Sequence, residues 1–472
     1  MQRLSASEHA ERVRVLAAPV VALLSASLAM CCLVTVPAAV MSWPVLEGLD
    51  PASTAWCALA AGLAVGVALV SVLGGRWFGA APSLAIGSVA AVAGQLLAHD
   101  VDAGGQLVLG LLSLGTAVGA LTGGGISLVQ EVPAHAAAPT IAGWVLPWAA
   151  GWGLLGWGVL RAHDPSSTTI GGGPPSVAVA VVAAVVLAWA LATMALEPDR
   201  TWSGSTLGWE NAWAGLAILT ASAVSLAMLV GTQVHVAASW GRPVALLTTG
   251  AAVCGLLMCA RLAPVQSLRP CLVAICAAGL TGPGCLHLMT FVAWHRPDPP
   301  PVWLAVALAA AGLVGAGVGW RYPAHGVGGG LTLMALAAGA GWVLPSSWGL
   351  LALVGCPFAV GLAVAVASAV RLVAPHSMGL RFLAVSALTA VMIGLVSAMP
   401  LAWALGAGLT GPEASSRAGA RVLLGLSFAA LVLSSAVVTV MLRRVGQPRP
   451  RLAPPLTCNT WPVVNPERGD AR

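Results

Sequence analysis

Apolar runs of about twenty residues follow one another along nearly the whole chain, each closed by a short polar or Gly- and Pro-containing break. A helix needs about 20 such residues to cross about 30 Å of hydrocarbon, so these runs have spanning length. The pattern predicts about fourteen helices, at approximately 15–41, 54–73, 82–98, 105–129, 140–160, 174–195, 211–231, 243–260, 271–293, 302–320, 327–344, 347–370, 382–406 and 422–442. Only a Pro-Ser-Ser turn from Pro345 separates two of them, which makes that pair the weakest division. The runs have no period of two and are twice as long as a barrel strand, so helices follow rather than strands. The expected fold class is all-α, a polytopic membrane helical bundle of about 14 transmembrane helices.

Composition agrees with that pattern: 58% of the 472 residues are apolar and 8% charged, with a mean hydropathy of +0.92. The 15 acidic residues fall in or beside predicted loops. A carboxylate at the middle of a span would cost about 2.5–3.5 kcal/mol on insertion scales. All 21 basic residues are Arg. With the N-terminus placed in the cytoplasm, Arg161, Arg242, Arg296, Arg417 and Arg421 fall outside and the rest inside, the asymmetry of the positive-inside rule. The expectation is therefore a multi-pass protein of the plasma membrane, an inner membrane in a bacterium, with both termini cytoplasmic. Its net charge of +6 reflects topology and membrane lipid as surroundings, and implies no nucleic acid as partner.

The chain divides by this reading into a cytoplasmic lead-in at 1–14, a six-helix bundle at 15–195, two linking helices at 196–260, a second six-helix bundle at 261–442, and a disordered basic tail at 443–472 that holds Pro448, Pro450, Pro454 and Pro455. Ser5 and Glu8 have capping-box spacing, so a brief helix can lead into the first span. Of the ten cysteines, Cys458 lies in the tail and the others in or at the edges of spans. None has CxxC spacing or a His-Cys set of zinc-ligand spacing, so they read as small buried hydrophobes and no metal is implied. The Gly-rich strings at 123–125, 171–173 and 328–330 lack the GK[ST] ending and preceding strand of a phosphate loop, so no cofactor is implied either.

VLGGRWFGAAPSLAIG, residues 72–87, connects the second and third predicted spans. It resembles the loop motif of the major facilitator superfamily, a Gly-x-x-x-Asp-Arg-x-Gly-Arg-Arg string followed by a further Gly. Phe78, Gly79 and Gly87 fall on the family's positions, while Val72, Arg76, Trp77, Ala80 and Ala81 replace its leading Gly, Asp, first Arg and Arg pair. The charged latch that the family builds from this loop is therefore expected to be lost. LLSLGTAVGALTGGGISLVQEVPAH at 111–135, with Gly115, Gly119 and an exit at Glu131 and Pro133, is similar to the fourth helix of the fourteen-span drug:proton antiporter branch. GAGVGWRYPAHGVGGG at 315–330 looks like a second copy of the loop, and 355–380 with Gly394 and Pro400 looks like the branch's late helix pair. Repeated loops at equivalent places fit internal pseudo-symmetry.

The resemblance implies two six-helix halves rocking about a mid-membrane cavity, with two extra helices between them. Proton-coupled members of the branch carry an Asp in the first helix and an Arg in the fourth, and here those positions read Leu28 and Leu111. The fifth-helix antiporter string survives only as scattered Gly151, Gly153, Gly156 and Gly158. His287, after the Gly-Pro-Gly break at 282–284, is the remaining candidate for a proton site; a neutral His bonded to a backbone carbonyl is the alternative. Glu210 reads as a solvated helix end. Trp144, Trp148 and Trp152 recur at i, i+4 and i+8 and form one stripe of the fifth span. On the family arrangement they face the cavity, where indoles can hold a flat lipophilic or cationic molecule; packing or lipid-facing tryptophan is the alternative.

The function expected is secondary transport of a small-molecule substrate, efflux of a lipophilic or drug-like compound, with protons as a partner left open. A non-transporting scaffold that kept the fold and lost its coupling charges is the alternative, and a lipid-precursor flippase the third. No clustered carboxylates, His motif or nucleophile elbow points to an enzyme. A transporter should show a polar or aromatic-lined central cavity, where a scaffold can fill that volume with Leu, Val and Ala.

Overall fold

In the computed structural model the described residues are 6–47, 67, 71–72, 78–99, 104–162, 174–196, 250, 254, 268–293, 301–343, 347–374, 377–406 and 412–446. They form eleven helices: α1 Ala6–Glu47, α2 Ala80–His99, α3 Gly104–Glu131, α4 Ala134–Ala162, α5 Pro174–Leu196, α6 Leu268–Ala293, α7 Val302–Arg321, α8 Pro323–Val343, α9 Trp348–Val373, α10 Ser377–Gly406 and α11 Pro412–Gly446. Nine of them are long and apolar enough to cross a membrane. The division at Pro345 stands, because α8 ends at Val343 and Ser347 caps α9 by accepting from Leu350 N at 3.3 Å. The runs at 54–73, 211–231 and 243–260 lie almost wholly outside the described residues, and with them the linking pair and Glu210.

Helix ends depart from hydropathy where polar residues continue a helix past its apolar run. Most of the lead-in is the first two turns of α1. Helix α11 opens at Pro412, a residue whose missing N–H costs nothing at a first turn, and runs through Arg443 and Arg444, which hydropathy assigns to the tail. Two cations in a last turn complement the negative end of the helix dipole.

Helices α1 to α5 pack on one another, as do α6 to α11. The two groups meet where α4 crosses α7, α6 and α9 and where α3 meets the start of α10. Backbones approach closely at these crossings because small residues allow it. Gly315 and Gly319 of α7, one turn apart, rest on the Val360 and Val364 backbone of α9, and a Cβ on Gly319 would lie 2.6 Å from Val364 O. Between the halves, among the described glycines, the approach is closest at Gly312 of α7, where a Cβ would collide with Ala149 O of α4.

Many large apolar side chains stand exposed on the outside of the described helices. Leu16, Val20 and Leu23 form an exposed stripe on α1, and Val177, Val181 and Val185 form one on α5, the arrangement expected of helices whose outer solvent is lipid. Buried hydroxyls are mostly satisfied within their own helix: Ser88, Thr122, Ser127, Thr140 and Thr389 each donate to the carbonyl four residues back.

Candidate functional site

A cavity of about 40 Å³ lies between the halves, walled by Thr122 of α3, Trp144 and Trp148 of α4, Ile275 of α6, Val370 of α9 and Leu388 of α10, among others. One turn separates the two tryptophans on α4, so both present to the same side, with ring centroids 6.2 Å apart and planes tilted by 56°. The adjoining face of α4 carries Gly143 and Gly151, which seat α1 through Pro19 and Met30. Small residues thus hold α4 against its own half while indoles project toward the other. Gly125 of α3 makes room for Trp144, since a Cβ there would lie 2.7 Å from the indole Cδ1 and 2.9 Å from Nε1.

Among the described residues the wall is uncharged. Thr122 Oγ1 donates to Val118 O at 2.6 Å, so its hydrogen is committed to its own helix. Trp144 and Trp148 are 5% and 7% exposed, and the Nε1 of each is buried without a hydrogen-bond partner. Leu28 and Leu111, at the positions of the expected Asp and Arg, are 1% and 0% exposed among apolar neighbours.

A second constellation closes one end of the bundle. Glu131, the last residue of α3, accepts from the backbone N–H of Ala80 at 2.9 Å through Oε1 and pairs with Arg14 of α1 through Oε2. Ala80 opens α2, so the carboxylate meets an orphan N–H at the positive end of a helix dipole. Gly79 turns the chain into that helix with φ +76°, and a Cβ on it would stand 3.3 Å from Glu131 Oε1. The loss of the family's Asp led to the expectation that no charged latch forms here. An anion reaches the same loop nonetheless, from α3 rather than from the loop itself. Across the halves, Arg381 of α10 donates to Ser127 Oγ at 2.9 Å and to Gln130 Oε1 at 2.8 Å. In the second half, Arg371 near the end of α9 donates to the carbonyl of Trp320 at the end of α7 and stacks over its indole, 5.1 Å from the centroid.

Of the residues singled out from sequence, Trp144 and Trp148 line the cavity. The side chain of Trp152 lies outside the described residues. So does that of His287, whose backbone on α6 is twelve residues from Ile275, roughly 18 Å along the axis and away from the cavity. Phe78 is 43% exposed at the entrance to α2, Gly87 packs under Leu121 of α3, and Arg76 lies outside the described residues. Sequence reasoning missed Arg14, Ser127 and Gln130, took Arg381 only as an inside charge that could weakly supply a flippase's basic rim, and took Glu131 only as part of a helix exit. Their positions at span ends of one side were the available signal; their pairing was not.

No protein-family model matches the chain, and no curated protein matches it by sequence. Solved structures match by shape. A peptide transporter POT in mutant form, in complex with alafosfalin, superposes with a TM-score of 0.54 at 15% identity over 91% of this chain and 95% of that one. A peptide transporter POT in complex with sulfate gives 0.53 at 13%, over 91% and 95%. A bacterial homologue of the human drug peptide transporters gives 0.51 at 13%, over 91% and 99%. At such identities the likeness speaks for the fold alone, and the fold is that of a polytopic helical bundle shared with these transporters.

Proposed function

We propose that this chain is a secondary transporter that carries a lipophilic small molecule by rocking α1–α5 against α6–α11 about the Trp144 and Trp148 cavity. The observation that supports this reading is a cavity shared by both halves and lined by aromatic rings. A scaffold would have no need of two buried indoles facing the join. The few side chains that bridge the halves at one end, chiefly Arg381, are short polar contacts that a rocking motion can make and break. Outward movement is the direction we assign, from the resemblance to the drug:proton antiporter branch. Among the described residues none of the cavity-lining side chains is titratable, so coupling to protons falls to His287 if it operates.

Transport by purified protein in proteoliposomes tests the reading, with an imposed pH gradient and a panel of neutral and cationic fluorescent lipophilic dyes. The expected result is movement of at least one dye that Trp148→Phe slows and that collapses with the gradient in wild type but not in His287→Ala. Movement indifferent to the gradient in both proteins would leave a uniporter. No movement of any dye by folded protein would favour the scaffold.

A further inference from the structure

The two halves balance their charges differently at the end of the bundle where Arg14 and Arg381 lie. In the first half Arg14 has Glu131. In the second, the sequence holds no Asp or Glu between Asp298 and Glu413, a stretch that takes in the whole of α7, α8, α9 and α10. Arg321, the last residue of α7, and Arg371, near the end of α9, are both exposed, and among the described residues neither has a carboxylate partner. Arg371 donates to the carbonyl of Trp320, the residue before Arg321, and lies over its indole. Two guanidiniums are thus gathered at one helix end, where only the helix dipole offsets their charge. A guanidinium has five N–H donors, so most of those on Arg371 remain for another acceptor.

The surroundings say what that acceptor belongs to. Tyr322, the single tyrosine of the chain, stands 61% exposed between α7 and α8. Its backbone is held from both sides, donating to Val318 O and accepting from Gly326 N. Trp320 and Tyr322 together are the aromatic residues expected where a helix leaves hydrocarbon for headgroups. Val314 and Val318 are exposed on α7 seven and three residues before Arg321, and so on its side of the helix. Positive charge at the end of an apolar strip matches a molecule with an anionic head and an apolar chain. We propose that the α7–α8 turn is a headgroup site for an anionic phospholipid, its phosphate held by Arg321 and Arg371, with the Tyr322 hydroxyl at the rim and an acyl chain along Val314 and Val318. The planar fork of arginine suits phosphate oxygens. A zwitterionic lipid fits less well, because its ammonium group meets no carboxylate in this part of the chain. Bound there, the lipid supplies the second half with the anion that Glu131 supplies in the first, at the joint that Arg371 makes between α9 and α7. The site is on the outer surface and does not depend on what the cavity carries.

Lipids matched in their chains and differing in their heads test it. Full-length protein, stripped of lipid in detergent, is titrated with phosphatidylglycerol and with phosphatidylcholine, and bound lipid is counted by native mass spectrometry. Phosphatidylglycerol should bind more tightly by about tenfold to thirtyfold, the size expected of two arginines acting together. Arg321→Gln should bring it to the level of phosphatidylcholine with little change in the thermal midpoint of the lipid-free protein, since the Arg321 side chain makes no hydrogen bond among the described residues. Arg371→Gln should also lose the preference, with a lower midpoint because the bond to Trp320 O goes with it. Arg12→Gln removes an exposed arginine of α1, at the same end but in the other half, and should leave the preference intact. Equal binding of the two lipids by wild type, or a preference that survives Arg321→Gln, would overturn the site. So would an equal loss in Arg12→Gln, which would assign the preference to charge spread over the whole end. Glycerophosphoglycerol, the same head without chains, separates a lipid from a soluble phosphate: displacement of phosphatidylglycerol by an equal concentration of it would overturn the lipid assignment.

Discussion

Arg381 of α10 and Gln130 of α3, 251 residues apart in sequence, are joined across the two halves by a guanidinium-to-amide hydrogen bond of 2.8 Å. With Ser127 as the second acceptor, Arg381 bolts the halves together at the end of the bundle where α1 and α2 begin. Arg381→Ala should release that end. Hydrogen bonds to a charged group contribute about 1.5–3 kcal/mol, so maleimide labelling of a cysteine placed at Ala384, in a cysteine-free background, should speed up by tenfold or more. Arg381→Lys, which keeps the charge and loses the fork, should fall between. An unchanged rate in Arg381→Ala would show that the bolt holds nothing.

Glu131 serves a helix end and an ion pair at once, and two substitutions separate these roles. Glu131→Gln keeps an acceptor for Ala80 N–H while removing the charge opposite Arg14. Glu131→Ala removes both and leaves Arg14, 10% exposed at its side chain, without its carboxylate. We expect a loss of about 2–3 kcal/mol for Ala and about half as much for Gln, in unfolding of detergent-solubilised protein. Arg14→Ala with Glu131→Ala should cost less than the two single changes added together.

Gly312 should tolerate nothing larger. Its Cβ would collide with Ala149 O, so Gly312→Val must push α7 off α4 and break the contact between halves, with transport falling at least tenfold as we expect from a displaced interface of about 1 Å. Gly317 on the same helix is the control, because nothing lies within 4 Å of a Cβ there. Gly317→Ala should leave transport intact and stabilise the protein by up to about 1 kcal/mol through helix propensity. Loss of activity in both variants would point to α7 needing flexible backbone rather than close approach.

Gly125→Ala should act at the cavity without touching it. The added methyl would meet the Trp144 indole at 2.7–2.9 Å, forcing the ring to shift toward the cavity and narrow it. Dye transport should drop several-fold, an overpacking cost of about 1–3 kcal/mol. The pair Gly125→Ala with Trp144→Phe returns the volume and should recover much of the loss. A double variant as impaired as Gly125→Ala alone would refute the packing relationship.

Hydropathy made the helices legible because every spanning segment must satisfy its backbone internally and face lipid, a local demand written into each run. The Trp144 and Trp148 stripe was legible for a similar reason, since one-turn spacing fixes a common face before any partner is known. What escaped was pairing. Glu131 finds Arg14 at a separation of 117 residues and Ala80 at 51, and nothing in the loop string 72–87 announces that its missing carboxylate arrives from another helix. Along the sequence Arg381 is only an inside charge, because its role depends on which helix of the opposite half stands before it. The unsatisfied indole N–H groups are likewise tertiary facts: whether a tryptophan has an acceptor depends on every wall of its cavity.

The corresponding loops of the two halves are finished by opposite ions. In the first half a carboxylate, Glu131, completes the start of α2; in the second a guanidinium, Arg371, completes the end of α7. Each ion lies in the same half as the terminus it completes, so each half closes its own loop without help from the other, and does so with a charge of its own sign. The halves share a plan and carry it out with different chemistry, which leaves contacts such as Arg381 with Gln130 to tie them together.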